Sequence, residues 1–65
     1  MKNNIKYFRK RLDLRQEDLA NKLGVTRQTI NAIENNKYNP SLELAMKLAK
    51  LFNTSVEEIF QLDDE

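Results

Sequence analysis

The side chains with the clearest chemical use lie between Thr26 and Asn31. Arg27 and Gln28 are adjacent, and Asn31 follows about one helical turn later, so a helix would expose them on one face. An arginine can donate two hydrogen bonds to guanine O6 and N7, and a glutamine amide can pair with adenine N6 and N7. On an isolated helix these would be ordinary solvated residues. On a helix that reaches into the major groove, they predict recognition of base edges.

Chemistry that depends on cysteine or histidine is excluded, because the 65 residues contain neither. The usual zinc ligands are therefore missing from the sequence. Carboxylates such as Asp18 and Glu34 have no nucleophile–base pair to join. We therefore expect no enzymatic activity, no metal or other cofactor, and no small-molecule ligand.

The charge is divided unevenly along the chain, although its net value is only +1. Residues 1–37 contain nine Lys or Arg against four Asp or Glu, whereas residues 38–65 contain two against six. A basic half next to an acidic half suits a molecule that presents one face to a polyanion. The distribution supports a nucleic acid as the partner.

Composition indicates a soluble globular chain. Apolar residues make up 40% and charged residues 32%, which is too apolar for disorder and too interrupted by charge for a membrane span. The N-terminal residues carry charges within their apolar pattern and lack the apolar core of a signal peptide. We expect a cytoplasmic protein with no membrane partner.

Apolar residues recur at spacings of three and four, which predicts an all-α domain over residues 1–65. Five helices are expected: four begin near residues 5, 16, 27 and 56, and Asn39, Pro40 and Ser41 open the remaining one, the fourth in the chain. Gly24 is expected to end the second helix in a left-handed conformation, and Thr26 to cap the third. The alternation in Phe60-Gln61-Leu62 predicts a short strand that pairs with the N-terminal residues.

Residues 16–35 have the organisation of a helix-turn-helix. A short helix leads to a turn at Gly24, and Ala20 is small where two helices would cross closely. Val25 and Ile30 would lock the second helix against the first. This geometry leaves the second helix at the surface, where its first turns can enter a major groove about 12 Å wide.

These segments resemble the Cro and phage-repressor family, also called the XRE family, and especially its short stand-alone repressors. The resemblance covers nearly the whole chain, including the Asn39-Pro40-Ser41-Leu42 and Ser55-Val56-Glu57-Glu58-Ile59-Phe60 segments. It implies a compact five-helix lambda-repressor-like domain. It also implies double-stranded DNA as the partner.

The resemblance assigns DNA contacts to a defined set of side chains. Gln16 is expected to contact a phosphate, and the 36–38 loop to contact the backbone on the far side of the groove. Arg27 and Gln28 are expected to read bases. The complete predicted set is Gln16, Thr26, Arg27, Gln28, Thr29, Asn31, Asn36, Lys37 and Tyr38. An ordinary loop role for Lys37 and Tyr38 stays open.

Several residues differ from the family pattern or fall outside the DNA site. Arg9 and Glu34 match a pair that forms a structural salt bridge in the family. Arg15 stands where a small capping hydroxyl is usual, which predicts a lost cap worth about 1 kcal/mol. Asp13 and Asn36 each replace a common glycine, and both residue types tolerate left-handed geometry.

The C-terminal segment of about residues 55–62 is dense in apolar side chains, namely Val56, Ile59, Phe60 and Leu62. Packing against the core would use some of them, and those left exposed would mark a dimer interface. A two-fold dimer would place two recognition helices about 34 Å apart, one for each half-site.

The resulting prediction is a sequence-specific transcriptional regulator, most simply a repressor that occludes a palindromic operator as a homodimer. The alternative is an antitoxin or other protein-interaction module built on the same fold. The basic N-terminal half and the Arg27-Gln28 pair favour DNA, because a module that binds only proteins needs neither.

Overall fold

The computed structural model describes residues 1–63, which form five helices and one pair of short strands. The elements in chain order are β1 (Lys2–Asn3), α1 (Ile5–Arg11), α2 (Gln16–Leu23), α3 (Arg27–Glu34), α4 (Leu42–Leu51), α5 (Val56–Ile59) and β2 (Phe60–Gln61). The all-α fold and the terminal strand pair predicted from the sequence are confirmed. The last two residues of the predicted domain, 64 and 65, lie outside the described residues.

The core receives one fully buried side chain from every helix. Ile5, Leu19, Ile30, Leu48 and Ile59 each have 0% exposure. Burial of an aliphatic side chain of this size contributes roughly 1.5–3 kcal/mol. Because no helix is longer than ten residues, this shared core, rather than helix propensity, stabilises the elements.

Polar residues define where three helices begin. The side-chain oxygens of Thr26, Ser41 and Ser55 accept hydrogen bonds from backbone amides three residues ahead, at 3.1–3.2 Å. Each cap satisfies one amide that the first helical turn leaves without a partner. The predicted cap of the third helix at Thr26 is confirmed.

Helices α1, α3 and α4 end in the same conformation. They are followed by Asp13, Asn36 and Asn53, whose φ angles are 57°, 60° and 56°. In each case the amide of the next residue donates to a carbonyl five positions back, at 2.9–3.0 Å. This is the Schellman arrangement, with Asp or Asn in the position that glycine usually occupies.

Strands β1 and β2 bring the two ends of the chain together. They pair antiparallel, with Lys2 opposite Gln61 and Asn3 opposite Phe60. The terminal amino group lies 3.1 Å from the Asp63 carboxylate. The fifth helix and the first residues therefore form one side of the molecule.

Two of the interface expectations need correction. Ile59 and Phe60 are 0% and 8% exposed, so their side chains belong to the core of their own chain and are not available at its surface.

No helix within residues 1–63 combines the length and apolar character that crossing a membrane requires.

Candidate nucleic-acid interface

The α2–turn–α3 unit presents the predicted recognition helix. Gly24 has a φ of 73°, and the Val25 amide donates to the Ala20 carbonyl at 3.0 Å. A Cβ added at Gly24 would meet nothing within 4 Å. Glycine is therefore favoured here by the left-handed backbone rather than by lack of space.

Helix α3 has one buried face and one exposed face. Ile30 and Ile33 are 0% and 2% exposed, whereas Arg27, Gln28 and Asn31 all point to solvent. The base-reading candidates therefore stand on the free face of a helix whose other face is held in the core. That is the arrangement a helix needs to enter a groove without leaving its own domain.

Thr26 and Thr29 bond to each other at the start of α3. The Thr29 amide donates to the Thr26 hydroxyl at 3.2 Å, and the two hydroxyl oxygens lie 3.0 Å apart. Both hydroxyls are thus already engaged within the cap. They stabilise the end of α3 that carries Arg27 and Gln28.

Gln16 is held between the recognition helix and a buried acid. Its Oε1 accepts a hydrogen bond from Asn31 Nδ2 at 3.3 Å, and its Nε2 donates to Glu34 Oε1 at 3.2 Å. Asn35 Nδ2 in turn donates to Asn31 Oδ1 at 3.0 Å. Asn31, which is predicted to read bases, therefore also orients Gln16, the side chain predicted to contact a phosphate.

The Arg9–Glu34 pair anchors this network to α1. Arg9 Nε lies 2.8 Å from Glu34 Oε2, and the two side chains are only 10% and 6% exposed. Arg9 Nη1 also donates to the Leu14 carbonyl at 2.8 Å. Both residues belong to the architecture, and the predicted structural salt bridge is confirmed.

The start of α2 is held by Asp18, a role that was not predicted from the sequence. The Asp18 carboxylate accepts hydrogen bonds from the Arg15 backbone amide at 2.9 Å and from the Arg15 guanidinium at 3.1 Å. These bonds, the side-chain one first, lower the pKa of Asp18 and raise that of Arg15. Arg15 thus makes no side-chain cap, as expected, and Asp18 instead bonds back to the amide of the capping position.

The 36–38 loop is exposed, and its first residue is anchored from the N-terminus. Asn3 Nδ2 donates to Asn36 Oδ1 and to the Ile33 carbonyl, both at 2.9 Å. Tyr38, 52% exposed, shares a surface depression with Gly24 and Thr29. Tyr38 therefore lies near the N-terminal half of α3, whereas Asn36 stays at the C-terminal end of the helix.

Sequence reasoning missed Asn3 and Asp18. The contacts that Asn3 makes with α3 and Asn36 have no local signal, because these partners are at least 30 residues away. Asp18 did offer one, since an acidic residue three positions after a helix start can bond back to the first amide. Among the described residues, no group of acidic, histidine or cysteine side chains is arranged to hold a metal ion.

Comparison with known proteins identifies the fold family. Residues 5–59 match the model of a family described as Helix-turn-helix. The chain belongs to the XRE-type helix-turn-helix family. Its members are DNA-binding regulators rather than enzymes, so this chain is a transcriptional regulator with a helix-turn-helix domain for double-stranded DNA.

Several relatives are similar over most of their length. An uncharacterized HTH-type transcriptional regulator of Methanocaldococcus jannaschii is 58% identical over 65 residues, covering 100% of this chain and 98% of the relative. One from Bacillus subtilis is 48% identical over the same shares of the two chains. The cryptic phage CTXphi transcriptional repressor RstR of Vibrio cholerae is 37% identical over 88% of this chain and 51% of its own length.

Proposed function

We propose that this regulator is a sequence-specific repressor that binds a palindromic operator as a homodimer. The observation that carries the proposal is the exposed Arg27-Gln28 pair on the first turn of α3, a helix capped by Thr26 and anchored in the core by Ile30. The relative RstR, which is named a repressor, supports the direction of regulation. A DNA operator also implies action in the cytoplasm.

In the proposed DNA site, some side chains contact the DNA backbone and others contact the bases. Gln16 and the 36–38 loop contact phosphates on the two sides of the groove, whereas Arg27 and Gln28 read base edges. Asn31 reads a base through whatever hydrogen-bonding capacity its contact with Gln16 leaves free. The complete proposed set is Gln16, Thr26, Arg27, Gln28, Thr29, Asn31, Asn36, Lys37 and Tyr38.

Repression by occlusion suits a single small domain over residues 1–65. A dimer seated on the promoter would exclude the transcription machinery without an additional domain. The C-terminal segment 55–62 is proposed to form the interface. Within it, Leu62 is 83% exposed and Val56 is partly buried, so these two side chains make the contact while Ile59 and Phe60 support it from inside.

Selection of bound sequences from a random duplex pool tests the proposal directly. We expect a two-fold symmetric motif whose half-sites are centred about one helical turn apart. Affinity for the selected duplex should fall steeply as salt rises, because bound counterions are released from the phosphates. No binding to any duplex at low salt would refute the proposed function.

The variant Arg27→Ala tests the assignment of base reading. Loss of a two-bond contact to guanine should cost roughly 1–3 kcal/mol at one base pair of each half-site and relax the preference there. Competition binding with single-base operator variants measures this. Lys22→Ala, on the exposed end of α2, serves as a control of equal charge change. If Arg27→Ala weakened every duplex equally, Arg27 would be a phosphate contact instead.

A further inference from the structure

Asn3 connects the terminal strand pair to the end of the recognition helix. Its Nδ2 donates to the Ile33 carbonyl and to Asn36 Oδ1, both at 2.9 Å, with a longer contact of 3.4 Å to the Glu34 carbonyl. We propose that Asn3 is a positioning residue for the backbone-contacting loop Asn36–Tyr38. This inference rests on the DNA-binding function proposed above.

The loop depends on how α3 ends. Asn36 takes a left-handed φ of 60°, its amide donates to the Ile33 carbonyl at 3.1 Å, and the Lys37 amide donates to the Ala32 carbonyl at 2.9 Å. These bonds turn the chain away from the helix axis. Asn3 holds the same Ile33 carbonyl and, in addition, the side chain of the residue that makes the turn. Asn3 therefore fixes the position from which the loop continues to Lys37 and Tyr38.

Asn3 can hold the loop because it is itself held from two sides. Its Oδ1 accepts a hydrogen bond from the Ile5 amide at 3.1 Å, and its backbone lies opposite Phe60 in the strand pair. The next residue adds a backbone bond, from the Asn4 amide to the Ile59 carbonyl at 2.8 Å. Both the donor and the acceptor of this half-buried side chain are engaged, which restricts the groups that it contacts.

Loss of the Asn3 amide would act on the loop and spare the base readers. Lys37 and Tyr38 are exposed, and a released loop would have to be ordered each time DNA binds. The loop contacts phosphates, which are the same in every sequence. Affinity should therefore fall for all duplexes by one common factor, and sequence preference should be unchanged.

The variant Asn3→Ser provides the test. A serine hydroxyl can still accept from the amide two residues ahead, but it is too short to reach α3. We expect the Lys37 and Tyr38 amide signals of the free protein to shift in ¹H–¹⁵N spectra. Affinity for both the selected operator and a random-sequence duplex should fall about 3- to 10-fold, the scale of one lost hydrogen bond.

Asn4→Ser is the matched control. Asn4 Nδ2 donates to the Glu58 carbonyl at 3.1 Å, so it attaches the same terminus to α5 without touching α3. The control should leave the loop signals and both affinities unchanged. If the two variants weakened DNA binding equally, the effect would be general loosening of the terminus, and the proposal would be wrong.

Asn36→Gly provides an independent check, because glycine keeps the left-handed turn and removes the acceptor for Asn3. The losses from Asn3→Ser and Asn36→Gly should be less than additive in the double variant. Full additivity would overturn the proposal. If the wild-type protein bound no duplex, the proposed function itself would fail, whereas normal wild-type binding with an unaffected Asn3→Ser variant would reject only the role of Asn3.

Discussion

At the scale of single residues, the site depends on a buried charge. Glu34 accepts from Arg9 and from Gln16, so one carboxylate joins α1, the start of α2 and the end of α3. Such a pair is costly to bury and becomes more costly when one partner is removed. In the part of the chain that the structure describes, every buried side-chain nitrogen or oxygen has a hydrogen-bond partner. The network is therefore sensitive to any single change.

We predict that Glu34→Gln lowers the free energy of unfolding by about 3–5 kcal/mol. The neutral amide keeps the size of the side chain and leaves the Arg9 guanidinium, 10% exposed, without its counter-charge. Urea unfolding followed by circular dichroism measures the change. Glu43→Gln is the control, since the Glu43–Lys47 pair is exposed and should change stability by less than about 1 kcal/mol. Equal losses in the two variants would contradict the prediction.

At the scale of elements, the helices are defined mainly by their ends. Thr26, Ser41 and Ser55 begin three helices, and left-handed residues end four of them. Helix α2 begins without a capping hydroxyl, and the Asp18 carboxylate in its first turn accepts a hydrogen bond from the Arg15 amide. A carboxylate is also favoured there by the positive end of the helix dipole.

The Asp18 carboxylate makes the start of α2 sensitive to pH. The pKa of Asp18 is lowered by its hydrogen bonds to Arg15, so the folded state favours the ionised carboxylate. The resulting stabilisation is complete above the unfolded-state pKa of about 4 and is lost as the pH falls through the lower folded-state pKa. We predict that Asp18→Asn is less stable than wild type at pH 7 and that the difference shrinks in acid.

Thermal unfolding between neutral pH and about pH 2.5 measures this difference. Glu17→Gln is a suitable control, because it removes a neighbouring charge in the same helical turn but not the cap. Its pH profile should run closer to that of wild type. A stability gap for Asp18→Asn that stayed constant down to low pH would rule out the carboxylate as the cause.

At the scale of the whole molecule, the five helices share one core, and six large apolar side chains of the described residues remain exposed. Leu42, Met46 and Leu62 are 74%, 58% and 83% exposed. The first two lie on α4, and Leu62 lies directly after β2. In the proposed homodimer, the two copies would bury exposed apolar side chains against each other. Leu62 is the exposed apolar side chain that the C-terminal segment contributes.

We predict that Leu62→Glu converts the dimer to a monomer with little effect on the free energy of unfolding, because the side chain is exposed in one chain. Size-exclusion chromatography with light scattering reports the mass, and urea unfolding reports stability. Ile59→Asp should instead unfold the chain, since it would bury a charge at a position that is 0% exposed.

Leu42→Glu is the control for a general effect of removing an exposed apolar side chain. It should leave the dimer intact. If Leu42→Glu gave the monomer and Leu62→Glu did not, the interface would lie on α4 rather than at the C-terminal segment. A monomer in the wild type at the concentration that binds DNA would reject the proposed homodimer.

The sequence alone determined the number of helices, their order and the position of the turn. These follow from local rules: apolar spacing, the caps at Thr26 and Ser55, and the single glycine at Gly24 act within a few residues. The exposure of Arg27 and Gln28 on the third helix was predictable for the same reason. The salt bridge between Arg9 and Glu34 was also foreseen, but from family resemblance rather than from spacing.

Only the tertiary structure decided which side chains meet across the chain. Asn31 bonds to Gln16, and Asn3 to Asn36, because packing around one core brings these elements together from distant positions. It also decided that Ile59 and Phe60 are core residues, since apolar character is the same for a core and an interface and only three-dimensional burial separates them. The local structure of the segment from Gln16 to Asn35 was thus predictable from the sequence. Its contacts with the rest of the domain were not.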